Sequence, residues 1–306
     1  MRAVHYDQII EGFHKFGPKK MKIQLGIPAC AVRFVLAAAV SMTAVSAAAE
    51  QPTVPLRLKH APIQLHRNPD GSPHRGLRNQ FVSTNWSGYV VANYQTGLKY
   101  TSASMTWVVP TVRYGASNDS TSSDEYSANW VGIGGFCANQ LCTRGDHTLI
   151  QLGTEQDVSS IGTAHYYAWY EILPQPETPL GPDYPVSPGD IMTASLSCDL
   201  PCTGKKQNWT LSMTNGKWHW SLRLPYSSSL LSAEWIEEAP YSGGILPLAD
   251  FGTAAFPGPN LAGNTSPTVS SSNAIQMKDP WGQWANPSLG TVPNFNVCWG
   301  FEAFNC

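Results

Sequence analysis

The feature that most constrains this chain is a series of short strand-like segments, separated by turn residues, that starts near residue 85. Asn215-Gly216 lies between two of them and favours the positive φ angles of a type I′ turn, which predicts a β-hairpin. No segment has the pattern of an amphipathic helix of three turns, so a parallel α/β sheet is excluded. We therefore predict an all-β fold, a sandwich of two antiparallel sheets. The predicted segments are Ser102–Val109, Ser127–Ile133, His147–Gly153, His165–Leu173, Asp190–Ser197, Asn208–Thr214, Lys217–Leu224 and Ala233–Glu238.

Charge is scarce and unevenly distributed along the chain. Charged residues make up 13% of the sequence, against about 25% in an average protein. Residues 1–78 carry 11 Lys and Arg but 4 Asp and Glu, whereas residues 79–306 carry 8 and 17. Because nucleic-acid binding requires a basic surface, the acidic part is not expected to bind nucleic acid.

The N-terminal part has the layout of a secretory signal peptide. Residues 34–49 are small and apolar, and Lys22 and Arg33 precede them. We assign residues 1–49 to the signal region, with Met21 as the alternative translation start. The expected product is secreted and free of the membrane once the signal is removed. An uncleaved anchor is the alternative.

Residues 50–80 are rich in Pro, Arg and His and lack a period of 2 or 3.6, so we predict no packed element there. They form either a linker or, as we prefer, a basic propeptide that binds the acidic domain. Residues 81–306 remain as one β domain, expected to be a monomer.

Six cysteines follow the leader, and they fall into three pairs that are close in sequence. An even number of cysteines after a signal peptide implies disulfides, so we predict Cys137–Cys142, Cys198–Cys202 and Cys298–Cys306. Zinc is the competing interpretation. The spacings lack a Cys-x-x-Cys pair, and the domain keeps three scattered histidines, so no metal is predicted.

Carboxylates and amides are the remaining candidates for chemistry, because the motifs of serine hydrolases, zinc peptidases and nucleotide-binding proteins are all missing from the sequence. In a strand, residues two apart share a face. Glu234 and Glu238 therefore share one face, and Glu171 shares another with Trp169. Polar groups beside aromatic rings suit a groove on a sheet, but they do not separate a hydrolase from a sugar-binding protein.

Five motifs occur in an order that is more specific than any one of them. They are Asn85-Trp-Ser-Gly-Tyr89, Trp130-Val-Gly-Ile-Gly-Gly135, Leu149-Ile-Gln-Leu-Gly153, Tyr167-Ala-Trp-Tyr-Glu171 and Ala233-Glu-Trp-Ile-Glu-Glu238. Together they resemble the glutamic peptidases, or eqolisins, best known as secreted acid proteases of fungi. The resemblance implies a β-sandwich of the jelly-roll kind seen in lectins and glucanases. One position departs from the pattern, because some members carry an Asp where this chain has Gly134.

The resemblance also implies the chemistry. The catalytic pair would be Gln151 and Glu238, which would act on polypeptides through an activated water without metal or cofactor. Trp86, Trp130, Trp169 and Glu171 would bind the substrate. Two alternatives remain at this point: a glycosidase that uses Glu171 and Glu238 as paired carboxylates, and a lectin-like protein in which the three tryptophans stack on sugars.

Overall fold

The computed structural model describes residues 57–76, 78–95, 97–115, 123–203, 205–261, 273–288 and 294–300. All of them belong to one compact unit, Val54–Cys306. The predicted signal region and Cys306 lie outside the described residues. No helix in the described part of the chain is long and apolar enough to cross a membrane.

Strands make up the regular structure of the described residues, as predicted. The eight segments expected from the sequence all contain strands, which end within a few residues of the predicted limits except β5, which runs on to Val158. The strands are β1 Phe81–Ser83, β2 Trp86–Ala92, β3 Ser102–Val108, β4 Glu125–Gly134, β5 Leu149–Val158, β6 Ala164–Ile172, β7 Thr178–Pro179, β8 Ile191–Cys198, β9 Gln207–Thr214, β10 His219–Tyr226, β11 Ser232–Glu238, β12 Thr253–Phe256, β13 Asn260–Leu261, β14 Ala274–Lys278, β15 Trp284–Pro287 and β16 Phe295–Trp299.

The strands are joined in one hydrogen-bonded sheet, in the order β10-β9-β8-β3-β12-β16-β15-β14-β2-β11-β4-β5-β6-β7. The neighbours in this order are antiparallel, and β1 adds to β14 in parallel. The sheet turns back on itself, and hydrogen bonds join β3 to strands that are distant in this order. Trp107 Nε1 of β3 donates to Thr154 Oγ1 of β5 at 2.8 Å. Trp235 Nε1 of β11 likewise donates to the Ser104 carbonyl at 2.8 Å. The predicted sandwich is thus confirmed as two packed layers, which are continuous through β14, β15 and β16.

The layer of β2, β11, β4, β5 and β6, here called the groove layer, has two buried faces. Its inner face contributes Trp235 to the core between the layers, where Trp107 and Trp209 also pack. Its outer face, here called the groove face, carries a second apolar cluster around Trp86, Trp130, Trp169 and Ile236. The period-2 assignment is confirmed on β11, because Ile236 belongs to the outer cluster and Trp235 to the inner one.

The hairpin predicted at Asn215-Gly216 is present between β9 and β10, but the predicted type I′ turn is wrong. Thr214 pairs with His219, so four residues form the loop. Gly216 has a φ of 80°, whereas Asn215 is not among the residues with positive φ. The Asn215 side chain instead accepts hydrogen bonds from the amides of Lys217 and Trp218, which stabilises a longer loop.

The described part of the leader, residues 57–76, packs against the groove layer and is here called the cover segment. Single bridges hold it, between Lys59 and Tyr241 and between Leu65 and Ser83. Leu58 and Ile63 are buried. No helix or strand lies in this segment, as the missing period predicted, but the segment still packs, because an extended chain can bury isolated side chains without any period.

Two of the three predicted disulfides are present. Cys137 bonds to Cys142 with a Cα separation of 4.9 Å, and Cys198 bonds to Cys202 with a separation of 5.7 Å. The third predicted pair includes Cys306, which lies outside the described residues.

Candidate active site

Glu238, the last residue of β11, has a completely buried carboxylate on the groove face. Two side chains donate to it: Asn85 Nδ2 lies 3.1 Å from Oε1, and Trp130 Nε1 lies 2.7 Å from Oε2. Burial raises the pKa of Glu238, and the hydrogen bonds and the positive charge of His60 partly offset that rise. Glu238 is therefore a buried acid with a fixed orientation.

Gln151 lies on β5, directly between Gly132 of β4 and Glu171 of β6 in the strand register. Its Nε2 donates to Glu171 Oε2 and to the backbone carbonyl of His60, both at 2.9 Å. A Cβ on Gly132 would lie 2.9 Å from the Trp130 ring and 3.3 Å from the Gln151 Cβ. Because Gly132 has no side chain, the Trp130 ring and the Gln151 side chain have room to lie here.

Glu171 supports Gln151 and also contacts the cover segment. Its Oε2 accepts the Gln151 amide and the backbone amide of His60, the latter at 2.7 Å. Burial raises the pKa of Glu171 to about 8, although the nearby His60 lowers it. This carboxyl is therefore protonated in acidic solution.

The three predicted tryptophans lie on the groove face as expected and are fully buried under the cover segment. Trp86 and Trp130 meet edge to face with centroids 4.9 Å apart. Trp86 Nε1 donates to the Ala61 carbonyl at 3.0 Å. Trp169 stacks on the ring of His60. Trp86 and Trp169 are thus already in contact with the peptide chain of the cover segment.

His60 is the residue that joins the predicted catalytic pair. Its carbonyl accepts from Gln151, and its Nδ1 lies 3.4 Å from Glu238 Oε2. On the other side of the ring, Nε2 lies 3.1 Å from Glu177 Oε2 and 3.5 Å from Glu155 Oε2. Burial alone would lower the pKa of His60, but the hydrogen bonds and charges of Glu177, Glu238 and Glu171 raise it to about 10. The imidazole is therefore a buried cation.

The backbone of the cover segment is bound beside His60 by several hydrogen bonds. Asn85 Nδ2 donates to the Ala61 carbonyl at 3.2 Å, and Asn85 Oδ1 accepts the Gln64 amide at 2.9 Å. The Ile63 amide donates to the Gly135 carbonyl at 3.0 Å. The groove face therefore holds an extended peptide, with His60 at the two candidate catalytic side chains.

Four residues of this site were not predicted from the sequence: His60, Asn85, Glu155 and Glu177. Glu155 shares the groove face with Gln151 by the period-2 rule, so the signal for it was available. Asn85 opens a motif that was noted for its tryptophan. Glu177 lies in the connection after β6, and His60 lies in the leader, where periodicity gives no information.

The backbone explains why Gly134 stands where some glutamic peptidases carry an Asp. Its φ is +90°, and a Cβ there would lie 2.1 Å from the Thr148 carbonyl oxygen. An acid at this position would require a different backbone path. Two other acidic groups, Glu155 and Glu177, lie close to His60 instead.

A cation could in principle find ligands here, because single atoms of His60, Glu155 and Glu177 lie within 4.8 Å of one another. However, His60 Nε2 is the atom that faces both carboxylates, and with its raised pKa it carries a proton. A metal would have to displace that proton. The geometry therefore fits an ion pair between a protonated ring and carboxylates.

Comparison with known protein families places the chain in one of them. The model of the Peptidase A4 family matches residues 84–287, a span that includes Gln151, Glu171 and Glu238. No curated protein matches the chain significantly. Because the match covers more than half of the sequence, the chain belongs to the Peptidase A4 family, the glutamic peptidases, and is a peptide hydrolase of the glutamic endopeptidase type.

Proposed function

We propose that the protein is a secreted acid endopeptidase in which Glu238 and Gln151 activate a water against a peptide bond. One observation carries this proposal. The Gln151 amide donates to a peptide carbonyl in the groove, while the Glu238 carboxylate faces the same residue. A substrate carbonyl bound in place of the His60 carbonyl would lie between the two.

Glu238 suits the role of general base. When ionised, it takes a proton from the attacking water and then passes that proton to the leaving amine. Trp130 and Asn85 hold its two oxygens, so the carboxylate does not have to reorient before it reacts. Its reactive oxygen faces the groove, since His60 Nδ1 approaches Oε2.

Gln151 suits the role of oxyanion donor. Its amide has no charge to lose in acid, so it donates a hydrogen bond to the tetrahedral intermediate at any pH. Glu171 fixes its orientation by accepting from Nε2. Removal of one such donor typically lowers kcat by about 10²–10³-fold.

In this proposal the protein is secreted as a precursor. The signal-like residues 1–49, the two disulfides and the basic composition of residues 50–80 support a secreted precursor. In this proposal residues 50–80 are a propeptide, and residues 81–306 act as a monomeric peptidase on polypeptides.

The decisive test compares Glu238→Gln with its neighbour Glu237→Gln. Each substitution keeps the shape and removes one carboxylate, but Glu237 lies on the inner face, where Asn129 donates to it. Full-length chain is incubated at about pH 4, where an ordinary carboxylate begins to protonate, until cleavage of an unfolded protein is steady.

We expect Glu238→Gln to abolish cleavage and Glu237→Gln to retain it. Gln151→Glu should lose at least about 10²-fold, because a carboxylate replaces a donor next to the base. Normal cleavage by a correctly folded Glu238→Gln variant would disprove the assignment. If Glu171→Gln abolished activity while Gln151→Ala left it unchanged, the result would favour the glycosidase alternative, in which Glu171 and Glu238 are the paired carboxylates.

A further inference from the structure

We propose that Ser83 is a positioning residue for Glu238. It acts through Asn85, whose side-chain amide it fixes with the NH2 group toward the Glu238 carboxylate. Ser83 ends β1 and Asn85 directly precedes β2, so the two residues lie in the turn between these strands. The effect on the reaction rate rests on the proposed function, whereas the orientation of the amide does not.

The Ser83 hydroxyl has little freedom, because backbone amides use both of its lone pairs. The amides of Asn85 and Trp86 each donate to Ser83 Oγ at 3.1 Å. A hydroxyl oxygen has two acceptor lone pairs and one proton. Ser83 is completely buried, so water does not compete for these bonds. Toward any further partner, the hydroxyl can therefore act only as a donor.

The side-chain oxygen of Asn85 is the partner that needs this proton. Ser83 Oγ lies 3.0 Å from Asn85 Oδ1 and 3.0 Å from the Gln64 carbonyl of the cover segment. That carbonyl already accepts the backbone amide of Thr84 at 2.7 Å. If the Asn85 amide turned over, its NH2 group would face an oxygen whose lone pairs are both in use. Ser83 thus excludes the opposite orientation.

The other end of the Asn85 amide faces acceptors. Nδ2 lies 3.1 Å from Glu238 Oε1 and 3.2 Å from the Ala61 carbonyl. Asn85 is completely buried, so a turned amide would place Oδ1 against the carboxylate without water to separate them. Burial raises the pKa of Glu238, and the bond from Asn85 offsets part of that rise. Ser83 therefore keeps a donor on the candidate general base.

A peptide bound in the groove holds the same amide a second time. The backbone amide of Gln64 donates to Asn85 Oδ1 at 2.9 Å. While the cover segment is bound, both this amide and the Ser83 hydroxyl approach one oxygen. Of these two donors, the Ser83 hydroxyl alone remains when the groove is empty. Its contribution is therefore greatest in the free enzyme, before substrate binds.

The first arm of the test measures kcat/KM for peptide cleavage against pH, after full-length chain has been incubated in acid until cleavage is steady. The acidic limb of this profile reports the pKa of the base in the free enzyme. Ser83→Ala should move the limb to higher pH by about 1 pH unit, because the carboxylate loses a hydrogen bond when the amide turns. Ser83→Thr keeps the hydroxyl and should restore the limb.

Ser87→Ala is the matched control for the loss of a buried hydroxyl. Ser87 lies on β2, is equally buried, and donates to the Ala285 carbonyl at 2.9 Å. Its side chain shares the inner face with Tyr89 and is directed away from Glu238. The acidic limb of Ser87→Ala should therefore coincide with that of the wild-type chain.

A double variant tests whether Ser83 acts through Asn85. Asn85→Ala removes the donor itself, so it should move the acidic limb in the same direction as Ser83→Ala. Ser83→Ala added to Asn85→Ala should then move the limb no further, because residues that act as one unit are not additive. An additive move would show that Ser83 acts by another route and would overturn the proposal.

The second arm measures the pKa of Glu238 directly and needs no activity. The carboxyl signal is followed by NMR in full-length chain with isotope-labelled glutamate, and Glu238→Gln identifies it. All variants in this arm carry Gln64→Pro, because proline has no amide hydrogen and so removes the second donor to Asn85 Oδ1. Ser83→Ala should raise the pKa of Glu238 by about 1, whereas Ser87→Ala should leave it unchanged.

The outcomes separate the two proposals. An unchanged pKa of Glu238 in Ser83→Ala disproves the positioning role, and the catalytic assignment stands if the chain still cleaves peptides. If no variant cleaves any peptide but Ser83→Ala raises this pKa, the positioning role stands and the proposed function fails. Equal shifts in Ser87→Ala would show general loosening and would also overturn the role. If Ser83→Ala does not fold, Ser83→Cys replaces it with the same expected direction, because a thiol is a weak donor.

Discussion

The two faces of the groove layer are both buried, but different partners bury them. On the inner face Glu237 accepts a hydrogen bond from Asn129 of the adjacent strand, and the second layer of the sandwich covers both. On the groove face the next residue, Glu238, is covered by His60 of the cover segment. Both carboxylates are completely buried, and burial raises the pKa of each.

The difference lies in whether the covering group can leave. Asn129 belongs to β4 and cannot move without breaking the sheet, so Glu237 is a structural acid. His60 belongs to a segment held by isolated bridges and single hydrogen bonds. A raised pKa therefore does not by itself identify a catalytic acid in this protein, whereas a displaceable partner does.

The largest effect is expected from tryptophans on the two faces. Trp235→Ala should lower the free energy of unfolding by about 3–5 kcal/mol, because the inner core cannot collapse around the cavity. Trp169→Ala should lower the free energy of unfolding by clearly less, because the cover segment can shift and let water into the space. Urea denaturation of both full-length variants at one pH measures this. Equal losses would show that the cover is as rigid as the core.

The pH dependence of stability should come next, at the scale of a few kcal/mol over the range. Burial raises the pKa of Glu171 from 4.5 to about 8. The loss of folding stability caused by its ionised form is therefore absent below pH 4.5 and complete above pH 8. The pKa of His60 is raised from 6.5 to about 10, so its contribution is complete below 6.5 and is lost as the pH rises through 10. Both pKa shifts therefore predict that the free energy of unfolding decreases from acid to alkaline pH.

Thermal melting at a series of pH values measures this fall, and two variants divide it. Glu171→Gln should flatten the part between pH 4.5 and 8, and His60→Ala the part between 6.5 and 10. A wild-type melting temperature that rises with pH across this range would contradict the assigned directions.

The smallest effect should come from the two short disulfides. Replacing either pair by alanines should cost about 2 kcal/mol, since loops of this length restrict the unfolded chain only modestly. The pairs differ in position. Cys137–Cys142 belongs to the groove-side cluster, and Arg67 of the cover segment donates to the Cys142 carbonyl at 3.1 Å, whereas Cys198 packs in the inner core.

Loss of Cys137–Cys142 should therefore also loosen the cover segment, which limited trypsin digestion at its basic residues would detect. Loss of Cys198–Cys202 should leave those sites protected. Equal digestion of the cover in both variants would show that the groove-side loop does not support it.

Local patterns were sufficient to predict eight of the sixteen strands and the faces that β11 presents. Alternation along Ala233–Glu238 separated Glu238 from Glu237 correctly, because the side-chain period of a strand is 2. Turn chemistry was less informative. Asn215-Gly216 predicted a hairpin correctly but its turn wrongly, because the Asn215 side chain competes with the tight turn by bonding two backbone amides.

The occupant of the site could not be predicted from local patterns. His60 and Gln151 are 91 residues apart, and their contact depends on an extended segment with no periodic signal. The sequence did show a basic leader and an acidic domain, which predicts attraction but no register. That Glu177 joins Glu155 at the same ring depends on the path of the chain after β6, which composition does not specify.

The attachment of the cover segment to the domain has a consequence for activation. Residues 57–76 run almost directly into β1, and the exposed Arg78 and Asn79 lie in the connection. A ligand tethered this closely is present at an effective concentration in the millimolar range, however dilute the protein is. A single cut in the connection leaves every contact of His60 in place but makes its departure a dissociation into bulk solution. Dilution alone would then decide whether the groove is empty, so a brief cleavage could become a lasting change of state.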